Sequence, residues 1–265
     1  MLILNPQATI DSFFHRLRRA RQRALLLDYD GTLAPFALER DQAFPYPGIR
    51  KLLDRIMASD TTRLVIISGR RTGDLLPLLR LRRRPEIWAS HGWERLFADG
   101  RYEIIEPDTR AMAGLVEADA WRARIARFGG RTEEKPASIA LHWRGLEATA
   151  VAQIRALVDE PWARLAQETG LQVHPFDGGI ELRAPGRHKG HAVETIHQEL
   201  RDASPIAYLG DDLTDEDAFR SIKRRGLSVL VRPELRPTLA DVWLRPPQEL
   251  LMFLERWAET MGPHA

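Results

Sequence analysis

Four times along the chain a short apolar run stops at a polar loop. The runs lie at 24–32 (ALLLDYDGT), 63–70 (RLVIISGR), 86–92 (EIWASHG) and 205–212 (PIAYLGDD), and 227–231 (LSVLV) is a fifth. Apolar residues are consecutive in these runs and do not alternate with polar ones. A strand of that kind must be buried on both faces, which is the habit of parallel sheets. Between the runs, residues 7–23, 48–58, 72–80, 189–200, 215–222 and 248–260 read as helices, with Ile10, Phe13, Phe14 and Leu17 at clear helical spacing. Alternating helices and doubly buried strands predict an α/β fold, a parallel sheet covered by helices on both sides.

The texture changes between 107 and 185. A helical stretch at 109–127 is followed by SIALHWR, which alternates like a half-buried strand, and then by a second helix at 147–168. LQVHPF and GIELRA flank Asp177-Gly-Gly and read as a hairpin. The α/β pattern resumes afterwards. The expectation is therefore a discontinuous core, 1–106 with 186–265, and an inserted α+β domain at 107–185. Trp88, Trp93, Trp121, Trp143 and Trp162 read as packing residues.

Composition removes several function classes. The 39 basic and 37 acidic residues nearly balance, so charge gives no case for nucleic-acid or membrane binding. There is no cysteine, which excludes disulfides, thiolate metal sites and a cysteine nucleophile. No apolar run reaches the roughly 20 residues needed to span a bilayer, and the first residues lack the features of a secretory leader. A cytoplasmic location is expected.

In parallel sheets ligands bind beyond the carboxyl ends of the strands. There the sequence places Asp28, Asp30 and Thr32; Ser68, Gly69 and Arg70; His91 and Glu94; and Asp211, Asp212 and Asp215. Acids from two strand ends would repel each other unless a cation bridges them, and oxygen-only donors suit magnesium. The alternatives are turn chemistry at Asp-x-Asp-Gly and helix capping at Asp211–Asp212. Lysine is scarce, occurring only at Lys51, Lys135, Lys189 and Lys223. Where arginine is the rule, a lysine suggests a need for a compact charge.

Taken together these residues resemble the four motifs of the haloacid dehalogenase superfamily. Asp28-Tyr-Asp-Gly-Thr32 resembles the first, Ser68 in Ile-Ser-Gly-Arg the second, Lys189 in His-Lys-Gly the third, and Gly210-Asp-Asp-Leu-Thr-Asp-Glu-Asp217 the fourth. Within it the chain is similar to trehalose-6-phosphate phosphatases, through His91-Gly-Trp-Glu94, Glu133-Glu-Lys135-Pro, Ala-Leu-His142-Trp-Arg144 and Ile-Glu181-Leu-Arg183. It departs from the common pattern at Gly178-Gly179, where many relatives carry lysine, and at Ser90, where asparagine is frequent.

The resemblance implies a Rossmann-like core with the inserted domain acting as a mobile cap. It implies Asp28 as nucleophile, Asp30 as general acid and base, and Lys189 as the neutralising cation. Thr32 and Ser68, with Gly69 and Arg70 beside them, would hold phosphate. Asp28, Asp30 (through its carbonyl) and Asp211, with Asp212 and Asp215, would hold magnesium. Glu133, Lys135 and Glu181 would grip sugar hydroxyls, with His91, Glu94, His142, Arg144 and Arg187 as further substrate contacts. The expected substrate is trehalose 6-phosphate, with sucrose phosphate or a glycosyl-glycerate phosphate as alternatives within the same chemistry. A phosphotransferase and a non-catalytic sugar-phosphate sensor are the readings outside it. A monomer is expected, with a trehalose-6-phosphate synthase as a functional partner.

Overall fold

The computed structural model describes residues 1–6, 10–37, 39–176, 178–200, 204–223 and 225–260. They form two compact units, Met1–Glu103 with His188–Ala265, and Ile104–Arg187.

The chain begins with β1 (Leu2–Ile3), α1 (Ile10–Arg19), β2 (Arg23–Leu27), α2 (Ile49–Ala58), β3 (Thr62–Ile67), α3 (Thr72–Leu79), β4 (Glu86–Ala89), β5 (Glu94–Leu96) and β6 (Tyr102–Ile104). The second unit supplies α4 (Thr109–Asp119), α5 (Arg122–Ala126), β7 (Arg131–Lys135), β8 (Ser138–His142), α6 (Ala148–Thr169), β9 (Gln172–Phe176) and β10 (Gly179–Arg183). The first unit then finishes with α7 (Lys189–Glu199), β11 (Ile206–Gly210), α8 (Glu216–Ile222), β12 (Leu227–Val231), β13 (Val242–Leu244) and α9 (Gln248–Glu259).

The large sheet has nine strands in the order β1-β13-β12-β11-β2-β3-β4-β5-β6. Its centre, from β13 to β4, is parallel. Consecutive apolar residues serve its two faces in turn. Leu25, Leu27, Leu64, Ile66, Ala207 and Leu209 join one core with α1, α2, α3 and α9. Ala24, Leu26, Val65, Ile67, Ile206 and Tyr208 join another with α7 and α8. That division is why no polar residue interrupts these strands.

The first helix is shorter than its sequence pattern, Ile10–Arg19 against 7–23. Residues 7–9 lie outside the described residues, and at the other end Arg23 already opens β2. Arg23 has a second task. Its guanidinium donates to the Ala20 carbonyl at 2.9 Å and to Thr260 Oγ1 at 2.9 Å, so it sits at the carboxyl ends of both α1 and α9. A buried cation there is offset by two sets of unsatisfied helix carbonyls.

In the second unit a four-stranded antiparallel sheet has the order β7-β8-β10-β9. The anticipated helix at 109–127 is broken into α4 and α5 by a turn at Ala120–Trp121. The hairpin strands β9 and β10 pair as anticipated, while Asp177 in their turn lies outside the described residues. Four short strands, β1, β5, β6 and β13, together with the charged β7, have no counterpart in the sequence reading. No helix among the described residues is long and apolar enough to cross a membrane.

Candidate active site

β2 delivers Asp28 to the carboxyl edge of the sheet, where its N–H donates to the Leu209 carbonyl of neighbouring β11 at 2.9 Å. Asp28 is 3% exposed. Thr32 Oγ1 donates to Asp28 Oδ2 at 3.1 Å and Lys189 Nζ donates to Oδ1 at 2.7 Å. Lys189 also donates to Asp215 Oδ1 at 2.7 Å. It opens α7, whose amino terminus is capped by His188 Nδ1 accepting from the Gly190 N–H at 3.1 Å.

Asp211 arrives from the end of β11. Its carboxylate lies so close to Gly31 that a Cβ there would stand 2.1 Å from Oδ2, and Gly31 has φ +80°. Glycine is thus required at Gly31 for both backbone and space. One oxygen each from Asp28, Asp211 and Asp215 falls within 4.8 Å of the others. Against these three acids stands one lysine. Burial, then the charges of Asp215 and Asp30, push Asp28 up to about 7 despite Lys189. Burial and then Asp28 and Asp215 push Asp211 well above the ordinary carboxylate range. Burial alone would lower Lys189, but Asp215 and Asp28 outweigh it and hold the ammonium protonated. Were all three carboxylates ionised against the one ammonium, two negative charges would remain, which a divalent hard cation would balance with oxygen donors.

Within that set the three acids are not equivalent. Asp215 is saturated: Oδ1 accepts from Lys189 and the Tyr208 hydroxyl, and Oδ2 accepts from the N–H groups of Asp211 and Asp212 at 3.0 and 2.9 Å. All four of its acceptor positions are used. Among the described residues no hydrogen bond is made to the Asp211 carboxylate, although Lys189 and Tyr46 lie near enough to feel its charge. The donor set therefore fits a cation at Asp28 and Asp211, with Asp215 bracing both Lys189 and the Asp211 loop.

Several residues have protein partners that the sequence reading did not foresee. Asp30 does not present its carboxylate to the acidic cluster. Arg70 holds it through two parallel bonds, Nε to Oδ2 at 2.7 Å and Nη2 to Oδ1 at 2.6 Å, and gives Nη1 to the Arg40 carbonyl at 2.7 Å. Arg70, expected on the substrate, is thereby committed to Asp30, a fork geometry that lysine could not supply. Burial opposes its charge, but Asp30 raises the guanidinium pKa further. Asp212 closes its own turn in a reciprocal cap with Asp215 and stands outside the cluster of three. Glu94, expected on the substrate, is 1% exposed and braces loops instead: Ser90 Oγ donates to Oε1, while the Thr72 N–H and Tyr102 hydroxyl donate to Oε2.

Ser68 and Gly69 follow β3 beside these groups. Ser68 Oγ accepts from the Arg70 N–H at 3.1 Å. Its carbonyl accepts from the His91 N–H at 3.0 Å. The His91 ring packs so closely on Gly69 that a Cβ there would meet Nε2 at 2.5 Å. Ser90 and His91 both have positive φ, 48° and 58°. Two consecutive non-glycine residues in that region store backbone strain next to the site.

The second unit gathers its own polar face. Register aligns Glu133, Ala140 and Glu181 across β7, β8 and β10, and likewise Lys135, Ser138 and Arg183. Lys135 Nζ and Ser138 Oγ donate to Glu181 Oε1 at 2.8 and 2.7 Å, and Arg183 Nε donates to Oε2 at 2.7 Å. His142 Nε2 lies 3.0 Å from Glu133 Oε2. Arg144 packs over Gly178, where a Cβ would come within 2.8 Å of it. Arg187 ends the unit, its pKa lowered by burial. Ser138 was not singled out by the sequence reading, and Arg183 entered it only within the motif Ile-Glu181-Leu-Arg183, two residues from Glu181 on the same face of a strand. Tyr208, Arg232 and Arg236, which contact the acidic loop, were missed too. A tyrosine inside the apolar run before Asp211 was the one available signal.

The fold is similar to that of a haloacid dehalogenase-like hydrolase of Bacteroides thetaiotaomicron, with a TM-score of 0.60 at 16% identity, covering 89% of this chain and 99% of that one. The structure superposes on the C-terminal domain of a C. albicans trehalose-6-phosphate phosphatase with a TM-score of 0.76 and 22% identity, covering 98% of this chain and 99% of that one. In sequence it is 32% identical over 251 residues to a trehalose-phosphate phosphatase of Mycobacterium marinum, covering 90% of this chain and 62% of that protein. It is also 31% identical over 258 residues to an uncharacterized glycosyl hydrolase of Mycobacterium tuberculosis, of which it spans 19%. Residues 26–241 match the trehalose-phosphatase family, and the chain belongs to it.

Proposed function

We propose that the chain is a magnesium-dependent phosphatase that hydrolyses trehalose 6-phosphate through an aspartyl-phosphate on Asp28. The observation that carries the reading is the Lys189 ammonium bonded to Asp28 and Asp215 beside Asp211. Family membership and the M. marinum relative support the substrate.

Asp28 attacks phosphorus, forming an Oδ–P bond as the P–O bond to the sugar breaks. The leaving sugar oxygen takes a proton from Asp30. Asp30 then takes a proton from water, whose oxygen attacks phosphorus and releases Asp28. Splitting the reaction in this way replaces one difficult displacement by two easier ones. Asp28 and Asp211, with the carbonyl of Asp30, would hold magnesium. When bound, the cation supplies charge that offsets repulsion between carboxylate and phosphate. Lys189 supports the same charge from the protein side. Thr32 and Ser68 offer hydroxyls to phosphate oxygens. Arg70 keeps Asp30 in one rotamer.

The unit Ile104–Arg187 is proposed as a cap, its face of Glu133, Lys135, His142 and Glu181 gripping sugar hydroxyls, with Arg144 and Arg187 nearby. Closure would exclude water from the reacting groups. The test is a phosphate-release screen over trehalose 6-phosphate, sucrose phosphate, a glycosyl-glycerate phosphate and glucose 6-phosphate, with and without magnesium. Selective, magnesium-dependent release from trehalose 6-phosphate is expected, with an acid-stable acyl-phosphate trapped on wild type and not on Asp28→Asn. Equal release without a divalent cation, or turnover by Asp28→Asn, refutes the mechanism. Binding without turnover is the sensor's signature.

A further inference from the structure

The loop after β11 is held through both its N–H groups and its carbonyls. Its N–H groups at Asp211 and Asp212 point to Asp215. Its carbonyls accept from arginines of the segment between β12 and β13, and the Asp212 carbonyl accepts also from the Asp215 N–H at 3.0 Å. Arg236 Nη2 donates to the Asp212 carbonyl at 2.6 Å, and Nε and Nη2 both reach the Asp211 carbonyl at 3.3 Å. Arg232 Nη1 approaches that same carbonyl at 3.4 Å.

Arg236 is itself held. Its Nη1 donates to Glu216 and to the Pro237 carbonyl. Glu216 in turn accepts from Thr238 Oγ1 and the Leu239 N–H, each at 2.8 Å. The guanidinium and the Glu216 carboxylate are only 13% and 17% exposed. Four acceptors therefore converge on one forked cation, a geometry that fixes orientation as well as charge.

We propose that Arg236, with Arg232 behind it, is a positioning residue for cation binding: it locks the two peptide groups of the acidic loop so that the Asp211 carboxylate has one direction, toward Gly31 and Asp28. The proposal rests on the reading of that acidic centre as a cation site. Among the described residues Arg236 donates only to backbone carbonyls and to Glu216, so its effect passes through the loop.

Two effects of Arg236 oppose each other, and their signs separate this role from a purely electrostatic one. A nearby positive charge disfavours a bound cation, so loss of charge alone would tighten binding. Loss of the clamp releases the loop and weakens binding. Groups that orient metal ligands typically contribute about 10–100-fold in affinity.

The test is titration calorimetry of magnesium into the metal-free full chain, for wild type, Arg236→Gln, Arg236→Lys and Arg232→Gln. Positioning predicts at least a tenfold loss for Arg236→Gln. It predicts a clear loss for Arg236→Lys, which keeps the charge without the fork, and a smaller loss for Arg232→Gln. At saturating magnesium the KM of each variant for the phosphate ester should return to the wild-type value. Unchanged or tighter magnesium binding by folded Arg236→Gln overturns the proposal, as does a KM defect that persists at saturation. If Arg236→Gln does not fold, wild-type affinity in Arg236→Lys overturns it. Wild type that takes up no magnesium sinks the underlying cation reading, and this proposal with it, whereas normal wild-type binding with unaffected variants sinks the clamp alone.

Discussion

Replacing Asp28 with asparagine should abolish turnover and, in the absence of metal, make the protein more stable. Burial and the neighbouring acids raise the Asp28 pKa to about 7, against an unfolded value of about 3.9. The folded chain therefore binds the Asp28 proton more tightly than the unfolded chain does. Between those two values the folded state carries more protons, so this group's contribution falls as pH rises, and it is fully lost above the folded pKa. A shift of about 3 units at ~1.4 kcal/mol each amounts to about 4 kcal/mol. Asparagine copies the shape of the protonated acid and never ionises. The variant should match wild type near about pH 4 and exceed it by about 4 kcal/mol near about pH 8. For a chain of this size that corresponds to a Tm gain of roughly 10 °C. Urea and thermal unfolding in chelator, across that pH range, measure the gap. Saturating magnesium should shrink it, because a ligand at 100 times its Kd stabilises wild type by about 2.7 kcal/mol. A variant no more stable than wild type at the alkaline end, or a gap independent of pH, would refute the reasoning.

Lys189→Met leaves Asp28 and Asp215 buried without their shared cation, and removing one partner of a buried pair costs about 3–5 kcal/mol. Denaturation in chelator should show the larger loss at about pH 8 and a smaller one at about pH 5, where Asp28 is protonated; phosphate release should fall at least 100-fold, in line with a lost transition-state charge. Gly31→Ala would push a Cβ into the Asp211 carboxylate and place alanine at φ +80°, so calorimetry should find magnesium binding weakened by more than about tenfold, and normal binding would contradict the close approach. Glu181→Ala removes the common acceptor of Lys135, Ser138 and Arg183. It should raise KM for trehalose 6-phosphate at least about tenfold, as loss of a charged hydrogen bond would, and leave p-nitrophenyl phosphate hydrolysis unchanged; equal effects on both would argue against sugar recognition by that face.

Much of the large sheet was legible because its strands are buried on both faces and their consecutive leucines, isoleucines and valines admit few other readings. The edge strands were not. β1 has two residues and β5 and β6 have three each, too short for any period to emerge. β7 reads Arg-Thr-Glu-Glu-Lys, which alone suggests a solvated segment. It is a strand because Glu133 and Lys135 find partners across β8 and β10. Asp28 and Asp211 were locatable from their loops, since sheet topology says where such loops converge, whereas Lys189 was singled out only by the scarcity of lysine and by the resemblance. The duties of Arg70, Glu94 and Asp212 were not, because a side chain's choice between ligand and neighbour depends on donors supplied from distant segments. Arg236 shows this most clearly. Nothing in Leu-Arg-Pro announces a contact with a loop that lies more than 20 residues earlier.

The sequence by itself determined the α/β alternation, the carboxyl-edge location of the acids and the exclusion of thiol chemistry, because these follow from local periodicity and composition. Only the tertiary structure decided that Asp28 and Asp215 share a single lysine beside Asp211, that every acceptor position of Asp215 is taken, and that Arg70 attends Asp30. Those outcomes depend on distances between strand ends and on burial, which turn ordinary acids into a strained cluster. Neither quantity is a property of any one segment.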